Sequence, residues 1–180
     1  MKKTIIRDVN RIGRDIINSE EFCRARTQTH HDKTTVGAHS MEVACISLAI
    51  SRLFSAVAIS SNEKELIRGA LCHDLGILGR YDKFANNFVC CFRHPKDSVV
   101  AAESLLGELT DIERDVIAHH MWPVTIVPPH HREAFIVMIA DKICAVKEIV
   151  RSSEKNRIEA AKKVRPPKPL ARKMNMDRAL

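Results

Sequence analysis

The sequence predicts an all-α protein folded as one helical bundle. Aromatic residues make up only 4% of the 180 residues, so aliphatic side chains must fill the core, and such a composition favours helices over sheets. Apolar residues also recur at helical spacing in several segments. A chain of this length normally forms a single domain that buries roughly 70% of the surface of its unfolded state. We find no internal repeat and no second domain.

The amino-terminal third predicts three helical segments. Apolar residues at spacings of three and four predict a first amphipathic helix over residues 5–17. Ser19 starts a short second segment that ends near residues 30–32, and residues 33–35 predict a turn. A long third helix is predicted over about residues 36–54. His39 lies one turn before Val43 on its apolar face and is expected to point inward.

The middle of the chain predicts a helix, a loop and a second helix. Asn62 and Glu65 have the spacing of a helix cap, and an apolar stripe continues to His73 and Asp74 before Gly76 ends the helix. Residues 76–93 have no clean period, which predicts a long irregular loop that covers the site. His94 and Pro95 then predict the start of a helix that continues to residue 107.

The carboxyl-terminal part of the domain predicts two more helices. Thr110 and Glu113 form a capping box that opens a helix ending at His119 and His120. Prolines at positions 123, 128 and 129 then enforce a non-helical link. A core helix follows from about residue 132, and Asp141 lies inside its apolar stretch. A buried carboxylate of this kind needs a partner.

The net charge of +7 divides the chain into two parts. Residues 151–180 contain ten Lys and Arg against three Asp and Glu, which accounts for all of the net charge, and they include a Pro-rich stretch at 165–169. We therefore predict a helical domain at residues 1–150 and a basic helix and Pro-containing tail at residues 151–180. Charge confined to a tail favours a solvated segment over a nucleic-acid surface, although a contact of the tail with a partner is the alternative.

Cysteine content and hydropathy indicate the compartment. The six cysteines contain no Cys-x-x-Cys pair, and several lie among apolar residues, so they are expected to be reduced and structural. No window approaches the roughly 20 apolar residues of a membrane span, and the first residues do not resemble an export signal. We expect a cytoplasmic protein without membrane association.

An ordered series of imidazoles and carboxylates is the main chemical signal. It consists of His39, His73, Asp74, His94, His120 and Asp141. Each histidine alone could be a core residue, and Asp141 alone could belong to an ion pair. Placing two carboxylates and several imidazoles in one buried site without a cation would cost on the order of several kcal/mol. The ligand mixture suits iron, manganese, zinc or nickel, so we predict a site for one or two divalent ions.

Some neighbouring residues leave alternatives open. His31 and Asp32 repeat the His-Asp dipeptide, but they precede a polar turn and are expected to be solvated. His119 competes with His120 as a ligand. Lys142 and Arg93, each next to a candidate ligand, could bind a phosphate or could be solvated side chains.

Five short motifs carry a family resemblance. They are Thr-Val-Gly-Ala-His-Ser at 35–40, Gly-Ala-Leu-Cys-His-Asp at 69–74, Phe-Arg-His-Pro at 92–95, His-Met-Trp-Pro at 120–123 and Ala-Asp-Lys at 140–142. With these motifs, residues 30–150 resemble the HD-domain superfamily of metal-dependent phosphohydrolases. The Phe-Arg-His-Pro and His-Met-Trp-Pro motifs are similar to those of a little-characterised bacterial branch of small stand-alone HD proteins.

The resemblance implies a metal-binding helical bundle. In it, His39, His73, Asp74 and Asp141 hold one metal, Asp74 bridges, and His94 and His120 hold a second. The spacing from Ile117 favours His120 over His119. Residues 75–78 lack the acidic residue or lysine that follows the dyad in several phosphohydrolase groups, and no Gly-Tyr-Pro signature of cyclic-dinucleotide phosphodiesterases is present.

The activity that the resemblance implies is hydrolysis of a small phosphorylated compound, most commonly a nucleotide. A metal-activated hydroxide would attack phosphorus, with Asp74 as the catalytic carboxylate and with Lys142 or Arg93 orienting the phosphate. The alternatives are a di-iron oxygenase of the HD type and a non-catalytic module that senses a nucleotide. Nucleic acid is not an expected partner, and assembly into a homo-oligomer is left open.

Overall fold

The helices account for almost all regular structure in the computed structural model, which describes residues 2–31 and 34–163. The helices are α1 (Lys2–Ile12), α2 (Arg14–Ile17), α3 (Glu20–Ala25), α4 (Val36–Ser55), α5 (Glu63–Cys72), α6 (Arg80–Lys83), α7 (Asn87–Leu106), α8 (Asp111–His119) and α9 (Arg132–Lys163). A short antiparallel ribbon joins β1 (Thr29–His31) to β2 (Thr34–Thr35), and a 3-10 turn occupies Leu75–Ile77. The predicted all-α class is confirmed.

The core lies where α4, α5, α8 and α9 pack together. Helix α4 packs against both α5 and α9, and α8 contacts α5, α7 and α9. Fully buried aliphatic side chains such as Leu48, Leu71 and Ile117 fill the space between these helices. Burying such a side chain contributes about 1.5–3 kcal/mol to folding. This packing brings the carboxyl ends of α5 and α8 next to the first turn of α4.

Local capping fixes several helix ends where the sequence predicted them. The side chain of Thr35 accepts a hydrogen bond from the amide of Ala38 at the start of α4. Thr110 and Glu113 form the predicted capping box of α8. Both interactions satisfy amides that have no partner inside the helix.

Helix α7 corrects two of the sequence predictions. Residues 87–93 are helical, whereas the sequence predicted a loop over 76–93, and Pro95 lies inside α7 and not at its start. The true cap is Asn86, whose side chain accepts from the amide of Val89. Pro95 removes one helical hydrogen bond without ending the helix. The sequence prediction was wrong here because the first turns of α7 lack an amphipathic period.

The amino-terminal end of the chain also differs from the sequence prediction. The single helix predicted over residues 5–17 is divided at Gly13 into α1 and α2, because the backbone of Gly13 leaves the helical conformation. At the other end, α9 runs from Arg132 to Lys163, so the first part of the predicted basic segment at 151–180 is helical. The Pro-containing tail at 164–180 lies outside the described residues. None of the described helices is both long enough and apolar enough to cross a membrane.

Candidate metal centre

Four helices and the segment after α5 place the predicted ligands at one point in the core. His39 lies in the first turns of α4, His94 inside α7, and Asp141 inside α9. His73 and His120 cap the carboxyl ends of α5 and α8. All six predicted residues are at least nine-tenths buried.

The backbone turn after α5 explains how two adjacent residues face the same point. Adjacent residues on a helix project about 100° apart. His73 still has helical backbone angles, whereas Asp74 leaves the helix with φ −111° and ψ 9°. The helix therefore ends between His73 and Asp74. Gly76, the helix end predicted from the sequence, lies in the following 3-10 turn.

Asp74 is the centre of the cluster, and its two carboxylate oxygens face different histidines. Among the described residues, five imidazole Nε2 atoms lie within 4 Å of it. Atom Oδ1 is 3.3 Å from His94 and 3.5 Å from His120, and Oδ2 is 3.4 Å from His73, 3.6 Å from His30 and 3.9 Å from His39. A carboxylate so placed can bridge two cations.

Asp141 closes the opposite side of the cluster. Its Oδ1 lies 3.0 Å from Nε2 of His39 and 3.8 Å from Nε2 of His73. Lys142 donates from Nζ to Oδ2 of Asp141 at 2.8 Å and to the carbonyl of His120 at 3.1 Å. Lys142 therefore touches the cluster through Asp141 and offsets part of its negative charge.

Hydrogen bonds to backbone carbonyls orient three of the imidazoles. The Nδ1 atoms of His73, His94 and His120 donate to carbonyls one helical turn earlier, at 2.7, 2.8 and 2.8 Å. In the neutral rings, this leaves the Nε2 lone pairs directed into the cluster, as metal-binding histidines require.

Two local features show that the cluster fits a cation. The Nε2 atoms of His94 and His120 are 2.9 Å apart, so without a metal one of them must carry a proton, and the raised pKa of His94 places it on His94. Nε2 of His73 is buried and has no hydrogen-bond partner. A divalent ion would replace that proton and satisfy the lone pair of His73, and imidazole with carboxylate is a suitable donor set for one.

The electrostatics of the metal-free cluster depend on these contacts. Burial opposes the charged form of His39 and His94, but hydrogen bonds to Asp141 and Glu148 in one case and to Asp74 in the other raise each pKa to about 10. Burial lowers the pKa of His73 to about 4. Burial also opposes ionisation of Asp74, yet the neighbouring His73 and the bonds from His120 and His94 hold its pKa well below the usual value.

Two contributors to the cluster are absent from the sequence prediction. Glu148 accepts from Nδ1 of His39 at 3.0 Å, and it lies two turns after Asp141 on the same face of α9. His30, in β1, approaches Asp74, and its ring centroid is 4.6 Å from that of His39. The seven-residue spacing from Asp141 could have indicated Glu148. His30 gave no comparable signal, because the candidate dipeptide in that segment was His31 with Asp32.

A cavity of about 380 Å³ leads from the surface to Asp74 and His94. Its wall includes Arg80, Tyr81 and Met121. Arg80 donates to Oδ1 of Asn87 at 2.7 Å and thereby holds a positive charge at the wall.

Arg93 is exposed on α7 and is not part of this wall. His119 points to Asp115 and not to the cluster.

A helical bundle with a buried cluster of histidines and aspartates is compatible with a metal-binding protein. The family model described as HD domain matches residues 36–146, which is more than half of the chain, and the chain belongs to this family. HD domains bind divalent metals, and their superfamily consists generally of metal-dependent hydrolases. No curated protein and no solved structure gives a significant match to the chain.

Proposed function

We propose that this protein is a metal-dependent phosphohydrolase that acts on a small phosphorylated compound, with nucleotides as the first class to test. The observation that carries the proposal is the position of Asp74, whose two oxygens face separate groups of imidazoles at 3.3–3.9 Å. This arrangement suits two divalent ions that share one carboxylate. His39, His73, Asp74 and Asp141 would hold the first ion, and His94, His120 and Asp74 the second.

The bound ions would supply a water of lowered pKa and neutralise charge on the phosphoryl oxygens. The protein residues position this chemistry. His73, His94 and His120 are fixed in one tautomer by their carbonyl bonds. Asp141 is held by His39 and Lys142. The cluster is almost closed to solvent except through the cavity at Asp74.

The cavity also supports a phosphorylated substrate of modest size. Arg80 presents a guanidinium at its wall, and guanidinium groups bind phosphate through two parallel hydrogen bonds. Lys142 is placed to balance Asp141, and Arg93 lies on the exposed side of α7, where its role would be long-range attraction of an anion.

The test is a metal and substrate screen on the purified full-length chain. Metal content is measured, the protein is stripped with a chelator and reloaded separately with iron, manganese, zinc or nickel, and phosphate release is followed across nucleoside phosphates and simple phosphate esters. We expect turnover that requires metal and falls by about 10³-fold or more in Asp74→Asn, since such a change removes the bridging charge. Asp111→Asn, an exposed change on α8, is the matched control and retains activity.

Two outcomes would overturn the proposal. One is tight metal binding without turnover of any phosphorylated compound. The other is a reloaded iron protein that consumes oxygen while cleaving no phosphoester, which would place the chain with the oxidative HD proteins.

A further inference from the structure

A second group of histidines surrounds Asp115 on α8, separate from the residues of the main cluster. Oδ1 of Asp115 lies 2.6 Å from Nδ1 of His119 and 3.2 Å from Nδ1 of His130. Oδ2 accepts from the amides of His130 and His131 at 2.9 and 2.7 Å and lies 3.0 Å from Nδ1 of His131. One carboxylate therefore lies within hydrogen-bond distance of the side chains of three histidines.

The carboxylate of Asp115 is buried and is held by two backbone amides and three histidine side chains. The residue is only 5% exposed. In the part of the chain that the structure describes, the basic groups within ion-pair distance of Asp115 are all histidines, with no Lys or Arg among them. Buried carboxylates are normally paired with a cation or bound to a metal.

The spacing of the donor atoms fits one ion. A carboxylate oxygen of Asp115 and the Nδ1 atoms of His119 and His130 all lie within 4.8 Å of one another. Ligands of a tetrahedral zinc lie about 2.0–2.2 Å from the metal, so two of them are about 3.3 Å apart. The separation of 3.2 Å between Asp115 and His130 is close to this value, whereas the 2.6 Å contact between Asp115 and His119 would have to lengthen when an ion binds. His131, on the second oxygen, or a water can complete the four positions.

We propose that Asp115, His119 and His130 form a second metal site, which binds zinc and is independent of the main cluster. Imidazole nitrogen with one carboxylate oxygen is a donor set that zinc prefers. The site joins the last turn of α8 to the residues that precede α9. It thereby connects the two ends of the segment 120–131. This segment contains His120 of the main cluster and Met121 of the cavity wall. Its role is structural, because His130 and His131 are partly exposed and lie outside that cavity.

The adjacent histidines at the end of α8 are thus divided between two sites. His120 turns its Nε2 toward Asp74, whereas His119 turns its Nδ1 toward Asp115. This division gives His119 a function even though it is not part of the main cluster. No ligand is shared between the two sites, so each can be removed without deleting a residue of the other.

The test compares zinc stoichiometry in four full-length proteins after equilibrium dialysis against zinc. They are the unaltered chain, His130→Gln, His119→Gln/His130→Gln and Asp74→Asn. We expect both histidine variants to bind one zinc fewer than the unaltered chain while retaining the metal of the main cluster. Asp74→Asn should lose zinc at the main cluster and keep the zinc at Asp115. Cobalt replacing zinc in Asp74→Asn should show the visible absorption of a tetrahedral ion, and this absorption should disappear when His130→Gln is added.

The design remains decisive if the double variant folds poorly. The ring of His130 is largely exposed, and its backbone amide still bonds to Asp115 after substitution, so His130→Gln should keep the fold. Equal zinc content and equal zinc affinity in the unaltered chain and His130→Gln would overturn the proposal. In that case Asp115 serves only as a hydrogen-bonded anchor for the loop. The result does not depend on whether the main cluster hydrolyses any phosphate.

Discussion

His39 has a carboxylate on each ring nitrogen. Nδ1 bonds to Glu148 at 3.0 Å, and Nε2 faces Asp141 at 3.0 Å. A carboxylate on the nitrogen that does not bind metal fixes the ring and makes the other nitrogen a stronger donor. We therefore expect Glu148 to strengthen metal binding by His39 without being a ligand itself.

Replacing Glu148 with glutamine tests this support. We expect Glu148→Gln to lower metal affinity by about 10–100-fold, the usual effect of losing an outer partner of a ligand histidine. Affinity is measured by competition with a chelator of known strength. Glu154→Gln is the control, because Glu154 is an exposed glutamate on the same helix. Equal affinities in Glu148→Gln and the unaltered chain would show that Glu148 does not tune His39.

The raised pKa values of His39 and His94 predict proton release when metal binds. Both pKa values are about 10 in the metal-free cluster, so both rings are charged at neutral pH. A metal binds only the neutral imidazole, and it must displace about two protons. Apparent metal affinity should therefore rise as pH increases toward 10 and fall as pH decreases. Titration calorimetry in buffers of different ionisation enthalpy measures the protons, and a heat independent of the buffer would contradict the prediction.

Arg80 and Arg93 differ in position and should differ in effect. Arg80 lines the cavity that ends at Asp74, whereas Arg93 is exposed outside it. If Arg80 binds the substrate phosphate, Arg80→Gln should raise KM by about 10–100-fold, the range for one lost hydrogen bond to a charged group. Arg93→Gln should change KM much less. Steady-state kinetics on the best substrate of the screen decide between them, and a larger effect at Arg93 would reverse the assignment.

At the scale of helices, Gly76 lets the segment after α5 approach α7 closely. A Cβ atom at Gly76 would lie 2.4 Å from the carbonyl oxygen of His94 and 2.4 Å from the amide nitrogen of Ser98. The amide of Gly76 also donates to the side chain of Ser98 at 2.9 Å. Because backbone atoms cannot swing aside as a side chain can, any larger residue must push α7 away from the cluster.

Gly76→Ala should therefore weaken metal binding and destabilise the fold. We expect a loss of about 1–3 kcal/mol in unfolding free energy from the steric overlap, and a displaced His94 that binds metal poorly. Gly107→Ala is the matched control. It strains a glycine with φ of 79° but has no atom within 4 Å of the added Cβ, so it should cost stability without lowering metal affinity. Denaturant unfolding and metal titration of both variants separate the two effects.

What the sequence could predict about these elements depends on how local the determining interaction is. The start of α8 follows from Thr110 and Glu113, which lie three residues apart and cap each other. The start of α7 was missed because an asparagine cap followed by an aromatic residue and cysteines has no amphipathic pattern. The contact of Glu148 with His39 spans 109 residues and follows only from the packing of α9 against α4. Ligand types could be predicted from the order of the motifs, whereas their supporting partners required the tertiary fold.

Over the whole molecule, positive charge and the candidate site occupy different parts of the sequence. Every residue of the main cluster, including His30 and Glu148, lies at or before position 148. The net charge of +7 comes entirely from residues 151–180. We therefore predict that the tail influences substrate binding through long-range electrostatics and contributes no residue to the site.

Deleting residues 165–180 tests this separation, since it removes five basic residues and one acidic residue. We expect metal content to be unchanged and kcat/KM to fall modestly at low ionic strength, because the chain loses attraction for an anionic substrate. The difference should vanish near 0.15 M salt, where charges are screened beyond about 8 Å. Loss of turnover at every salt concentration would instead bring the tail into the mechanism.

The two contacts of His39 with Asp141 and Glu148 link the geometry of the site to the packing of α9. Asp141 and Glu148 reach the two nitrogens of one ring from the same face of one helix. A rotation of α9 about its axis withdraws both carboxylates together, and neither can be lost alone while the helix stays rigid. The orientation of the ring of His39 therefore depends on how α9 is docked against α4.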